Sequence, residues 1–136
     1  MAELTRHRLA SFSVESTRFN DYSKGELTFI KPCFWEVDED ADFGGIFYDW
    51  YEDVNFLDIW YKELLDKGAT PEQARSILPN SLKTEIVMTA NLREWRTILK
   101  LRTAKDAHPQ MRQIANMILA VLKEKLPVIV EDIGNE

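Results

Sequence analysis

Arg6-His7-Arg8 is separated by seven residues from Ser16, and Thr17 and Arg18 follow directly. Three guanidinium groups and an imidazole packed this closely must meet an anion or repel one another, so the string reads as a grip for a phosphate or nucleotide. Ser16, Thr17 and Arg18 set hydroxyl and guanidinium donors side by side, the pattern that binds phosphate oxygens. Ser16 as a nucleophile would need a base to take its proton. No histidine or lysine stands beside it, and His7 lies elsewhere in the motif, so Ser16 is read as a donor. His7, held between two arginines, suits a neutral hydrogen-bonding or stacking role beside a cofactor, with a purely structural histidine as the alternative.

Two further arginines merit weighing, Arg75 and Arg102. Each, like Arg6 and Arg8, is by default a solvated surface charge. Arg102 is different in one respect: it falls on the helical stripe marked by Leu92, Trp95 and Leu99. A guanidinium on an apolar stripe needs an anionic or carbonyl partner, because burying an unpaired charge is costly. His108, just before Pro109, reads as a cap or packing residue. Asp38, Asp40 and Asp42 imitate the opening of a calcium loop, but Phe43 stands where glycine is needed and Asp49 where a bidentate acid closes such a site. A solvated acidic loop is the better reading, and no metal is expected. The chain has no glycine-rich dinucleotide loop, Walker sequence, zinc spacing or paired catalytic carboxylates.

The elements that must position these groups follow from periodicity. Residues 26–31, between Gly25 and Pro32, suit a short strand. From Phe47 the positions Trp50, Val54, Leu57, Tyr61 and Leu64 step by three and four, predicting a helix that ends at Gly68. Its aromatics read as core or subunit interface rather than a cofactor box. Thr70-Pro71-Glu72-Gln73 predicts a second helix with a capping box, ending at Leu78-Pro79. Residues 82–90 alternate as a strand, with Leu82, Thr84, Ile86, Met88 and Ala90 on one side. A third helix starts at Asn91 with the capping pair Asn91 and Glu94. The last runs from about Pro109 to Lys125 with Met111, Ile114, Ile118, Val121 and Leu122 inward, and the tail VEDIGNE is expected to fray.

Composition bounds the class. At 136 residues and 45% hydrophobic content the chain suits one folded domain. The single Cys33 makes no internal disulfide and reads as a half-buried small hydrophobe in a reducing compartment. No run approaches the roughly 20 apolar residues of a membrane span, and no apolar block opens the chain, so the expectation is a cytoplasmic protein with no membrane partner. A net charge of -6 argues against nucleic acid. The charge is uneven, because residues 36–72 hold twelve acids and two bases, a net -10 that leaves +4 for the rest.

The string R-H-R-x7-S with Arg18 following resembles the signature of flavin-dependent thymidylate synthases. The resemblance continues through ATPEQARSILP (69–79), TANLREWRTILKLR (89–102) and DAHPQMRQIA (106–115). It implies an α+β fold with helices packed on a small sheet, spanning residues 1–136 as the C-terminal portion of the family's domain. It also implies conversion of dUMP to dTMP, with methylenetetrahydrofolate giving the carbon unit and NADPH the hydride through FAD. On this resemblance Arg6, His7 and Arg8 are flavin and nucleotide contacts, with Arg6 also touching substrate. Ser16, Thr17, Arg18 and Arg75 bind dUMP, Asn91 and Arg93 contact the flavin, and Arg102 faces the uracil ring as the catalytic arginine. A cation at the pyrimidine edge favours the electron-rich uracil and raises the nucleophilicity of C5.

Further implied partners are copies of the same chain, a homotetramer with sites shared between subunits. Family chains carry a segment before the motif that supplies strands, a helix and flavin contacts, where this sequence has Met1 to Thr5. A separate N-terminal piece is therefore an implied partner, and self-association is expected to cover the apolar face that segment would occupy. The alternative is a catalytically incomplete remnant or dUMP-binding module. Val14 stands where members show an acidic or amide group, and Thr97 and Asp106 where many have longer polar or imidazole side chains.

Overall fold

Pro at the first turn and two lysines in the last frame the long helix over Pro109–Lys125, matching its fixed backbone angle and its dipole at the two ends. In the computed structural model, which describes residues 3–18, 20, 22, 25–35 and 45–134, it is one of eight elements among the described residues. Their order is β1 (Ala10–Val14), α1 (Ile46–Asp66), α2 (Pro71–Ala74) running into a 3-10 turn at Arg75–Ile77, β2 (Ile86–Ala90), α3 (Leu92–Arg102), α4 (Pro109–Lys125) and α5 (Pro127–Val130). The class is α+β, as expected. Contacts divide the chain into two units, Met1–Ser13 with Ile86–Glu136, and Val14–Glu85.

In the first unit β1 pairs with β2. Both strands alternate half-buried with exposed residues, so that Phe12, Ile86 and Met88 face the core and Val87 and Ser11 face out. Helices α3, α4 and α5 close over that face around Leu99, Met111, Ala115, Leu119, Val130 and Ile133. Of the residues expected inward on α4, Met111 is buried and Ile118 and Leu122 pack against the core, whereas Ile114 and Val121 are 46% and 55% exposed and Ala115 and Leu119 are buried instead. The helix is apolar around much of its circumference, so periodicity does not choose which apolar stripe meets α3 and α5. The same holds for Leu92, which is exposed while Glu94, Ile98 and Leu99 turn inward.

The tail does not fray over the described residues. Val130 and Ile133 are buried at 0% and 2%, and Arg96 pairs with Asp132 through two 2.8 Å hydrogen bonds and also donates to the Ile129 carbonyl. Gly134 takes a φ of +77°, where a side chain would be strained, and a Cβ there would sit 3.1 Å from Leu119 Cδ2.

In the second unit Tyr61 of α1 is fully buried with Leu27 and Ala74, and Tyr22, Phe29, Leu64 and Leu82 pack around them. Helix α1 stops in a left-handed glycine: Gly68 N–H donates to Leu65 O and Ala69 N–H to Leu64 O, each at 2.9 Å. The expected capping box opens α2, Thr70 and Gln73 each bonding the other's backbone. Residues 26–31 are held by a single antiparallel bridge, Phe29 to Leu82, rather than by a strand. That segment alternates poorly, and its Leu27 N–H is satisfied by the Asp58 carboxylate of α1 instead of a sheet partner. The strand expected over 82–90 is correspondingly shortened to Ile86–Ala90. Cys33 is exposed, not half-buried. Asp38, Asp40, Asp42 and Phe43 lie outside the described residues.

Candidate functional site

Helix α3 carries Glu94, Ile98 and Arg102 at steps of four, one face of the helix. Ile98 is buried and sits between two charged groups that both reach the same imidazole. His7 Nδ1 lies 3.3 Å from Glu94 Oε1, and Arg102 Nε donates to His7 Nε2 at 3.2 Å. The partner that the apolar stripe demanded for Arg102 is therefore present, and it is more than one group: Arg102 Nη1 donates to the Glu3 carboxylate at 2.7 Å and Nη2 to the Glu3 carbonyl at 3.0 Å. An arginine Nε–H can only donate, so His7 Nε2 is the acceptor of that bond, and Nδ1 faces Glu94. His7 is buried with both ring nitrogens on protein groups, the arrangement of the structural alternative, and neither nitrogen is left for a cofactor.

Helix α3 begins where Asn91 Oδ1 accepts from the Glu94 N–H at 2.8 Å. Only half of the expected capping pair forms, because the Glu94 side chain turns to His7 instead of the Asn91 backbone. A carboxylate in the first turn is favoured by the helix dipole, which helps it remain inside at 8% exposure. The side chains of Arg6, Arg8 and Arg93 are exposed and make no hydrogen bond or ion pair among the described residues. Arg6 and Arg102 line one cleft of about 450 Å³ with Glu3, Asp106 and His108. His108 occupies the N-cap position of α4 without a side-chain capping bond.

The second unit holds the other candidates. Ser16 Oγ accepts from the Arg18 N–H at 3.3 Å, Arg75 Nη1 donates to Thr17 Oγ1 at 3.3 Å, and Arg18 Nε pairs with Glu72 at 3.0 Å. Two guanidinium groups and two hydroxyls from the motif and from the α2 turn thus meet on one surface. This is a donor set that suits a phosphate dianion. No described imidazole or lysine hydrogen-bonds Ser16. Val14, the last residue of β1, is half-buried on its inward side.

Sequence reasoning missed Glu3, the full role of Glu94, and Glu72. The spacing of Glu94 and Arg102 was a usable signal; Glu3 gave none.

An anionic, electron-rich cofactor such as a flavin dinucleotide needs unpaired cations and free amide donors. The first unit offers Arg6, Arg8 and Arg93, and the N–H groups of Leu92 and Arg93 have no carbonyl partner within the helix. In charge and donor chemistry these residues fit such a group.

Comparison with known proteins gives a consistent result. The family model described as thymidylate synthase complementing protein matches residues 1–128. A flavin-dependent thymidylate synthase of Corynebacterium diphtheriae is 33% identical over 145 residues, covering 96% of this chain and 55% of its own length. One from Pyrococcus furiosus is 31% identical over 125 residues, covering 90% and 49%. This chain thus spans about half the length of these relatives. A solved structure of thymidylate synthase X from Helicobacter pylori, with FAD and dUMP, has a TM-score of 0.74 at 24% identity, covering 99% of this chain and 67% of that one. Among the described residues no helix is long and apolar enough to cross a membrane.

Proposed function

Because this chain belongs to the thymidylate synthase complementing protein family, we propose that it is a subunit of an FAD-dependent thymidylate synthase that methylates dUMP reductively to dTMP, with methylenetetrahydrofolate and NADPH as co-substrates. The observation that carries this reading is the meeting of Arg75 with Thr17, beside Ser16 and Arg18, 58 residues apart in sequence. Ordering two distant segments into one donor cluster has an entropic cost, and the cluster suits the nucleotide's phosphate.

Arg102 takes the uracil. Three of its five N–H groups hold His7 and Glu3, which leaves two for a ligand in the cleft it shares with Arg6. A guanidinium fixed in this way stabilises negative charge on the pyrimidine oxygens without reorganising, so C5 becomes the more nucleophilic carbon. Arg6, Arg8, Asn91 and Arg93 hold the flavin. FAD, when bound, supplies two-electron redox chemistry between NADPH and the transferred carbon. Copies of the chain assemble, with the phosphate cluster of one serving the uracil arginine of another. Exposed apolar side chains such as Trp60, Met117 and Val121 support such assembly.

The test is the visible absorption spectrum of the purified protein after FAD addition, followed by dTMP formation with all substrates. Flavin uptake and dTMP formation support the reading. A protein that takes up no FAD and binds no dUMP overturns it. Binding of dUMP without NADPH-dependent turnover selects the second reading, a dUMP-binding module that needs a separate N-terminal piece.

A further inference from the structure

Glu94 and Arg102 stand eight residues apart on α3, a rise of roughly 12 Å. Their side chains are linked by one imidazole from the N-terminal segment, with Nδ1 at 3.3 Å from Glu94 and Nε2 at 3.2 Å from Arg102. The imidazole and the carboxylate are both buried, at 6% and 8% exposure. A neutral imidazole has one donor and one acceptor nitrogen, and which is which depends on its neighbours. A carboxylate at Nδ1 accepts and so keeps the proton there. Only that tautomer presents a lone pair at Nε2 to the Arg102 Nε–H. With the proton on Nε2, two donors would face each other inside the protein, and the guanidinium would have to turn away.

We infer that Glu94 is a positioning residue: it fixes His7 as the Nδ1–H tautomer, and His7 in turn fixes the plane of Arg102 so that its free N–H groups face the cleft. Asn91 makes this possible by capping α3 alone, which releases the Glu94 carboxylate from the capping pair. Glu3 holds the opposite edge of the same guanidinium through Nη1 and Nη2. Arg102 is thus clamped on its Nε side through Glu94 and on its Nη side through Glu3. A mere tether between the N-terminal segment and α3 would need no particular tautomer.

The link from Glu94 to Arg102 stands on this geometry alone; its consequence for dUMP rests on the proposed function. The chain has two histidines, so a long-range proton–nitrogen correlation spectrum of the full ¹⁵N-labelled chain at neutral pH contains two imidazoles, and a His108→Gln variant assigns them. His7 is expected to carry its proton on Nδ1. Glu94→Gln retains this tautomer, since the amide oxygen still accepts, whereas Glu94→Leu moves the proton to Nε2 or mixes the forms. The dUMP dissociation constant rises about tenfold in Glu94→Leu and recovers in Glu94→Gln. A wild-type His7 protonated on Nε2, or on both nitrogens, overturns the inference, as does a Glu94→Leu variant that keeps the Nδ1–H form. Should Glu94→Leu not fold, the wild-type and Glu94→Gln spectra decide. A wild-type chain that binds no dUMP overturns the functional reading instead, and the tautomer still decides the positioning role.

Discussion

Arg75 Nη1 donates a 3.3 Å hydrogen bond to Thr17 Oγ1 and so joins the α2 turn to the serine and arginine of the motif. Thr17 is a hydroxyl of ordinary strength, which leaves most of the guanidinium available to an anion. Arg75→Ala is expected to weaken dUMP binding by about 10-fold to 100-fold, the worth of one charge-assisted hydrogen bond. Titration calorimetry measures it. Thermal stability should barely move, because the side chain is exposed.

Arg18 is paired with Glu72, and a phosphate entering the cluster must displace or share that carboxylate. Both side chains are 53% exposed, and such pairs contribute about 0.2–1 kcal/mol. Glu72→Gln should therefore tighten dUMP binding by up to about 5-fold, with the largest gain at low ionic strength. A dUMP isotherm unchanged at low salt would show that Glu72 does not compete.

Arg102→Gln removes the shared partner of His7 and Glu3. It leaves a carboxylate and an imidazole nitrogen with poor partners at a site where Arg102 is only 17% exposed. A loss of about 1–3 kcal/mol is expected in urea unfolding, together with loss of dUMP binding. Arg102→Lys should recover part of the stability and little of the binding, since an ammonium cannot serve His7 and Glu3 with one planar fork.

The hydrogen bonds from Arg96, assisted by Lys100, hold the Asp132 carboxyl well below the usual carboxylate range. A lowered value in the folded state means the unfolded chain takes up the proton first. The contribution is thus fully present above about pH 4 and is lost as pH falls through the folded-state value. Wild type should melt above Asp132→Asn at neutral pH, and the two should converge in strong acid. A melting difference that stays constant down to pH 2 would contradict this.

Leu119 and Val121 test which apolar positions of α4 face inward. Leu119→Ala should cost about 2–5 kcal/mol, while Val121→Ala should change the stability of the single chain by less than about 0.5 kcal/mol. Equal losses at the two positions would restore the face expected from periodicity.

Local chemistry was legible in the sequence by itself. The capping box at Thr70, the left-handed stop at Gly68, the bounds of α4 and the need of Arg102 for a partner all depend on residues within a turn or two of each other, where the chain has few alternatives. The resemblance carried the family from the same short strings. Tertiary structure decided which apolar stripe of α4 faces inward, because the helix has more apolar surface than one face can bury and only its neighbours select among the choices. It decided that residues 26–31 make one bridge rather than a strand, since Asp58 satisfies Leu27 from a distant helix. It also decided that Glu3 and His7, about 95 residues from Arg102, are the groups that hold that arginine. Contacts closed across such a separation leave no periodic trace along the chain, so the sequence states the demand and the fold names the partner.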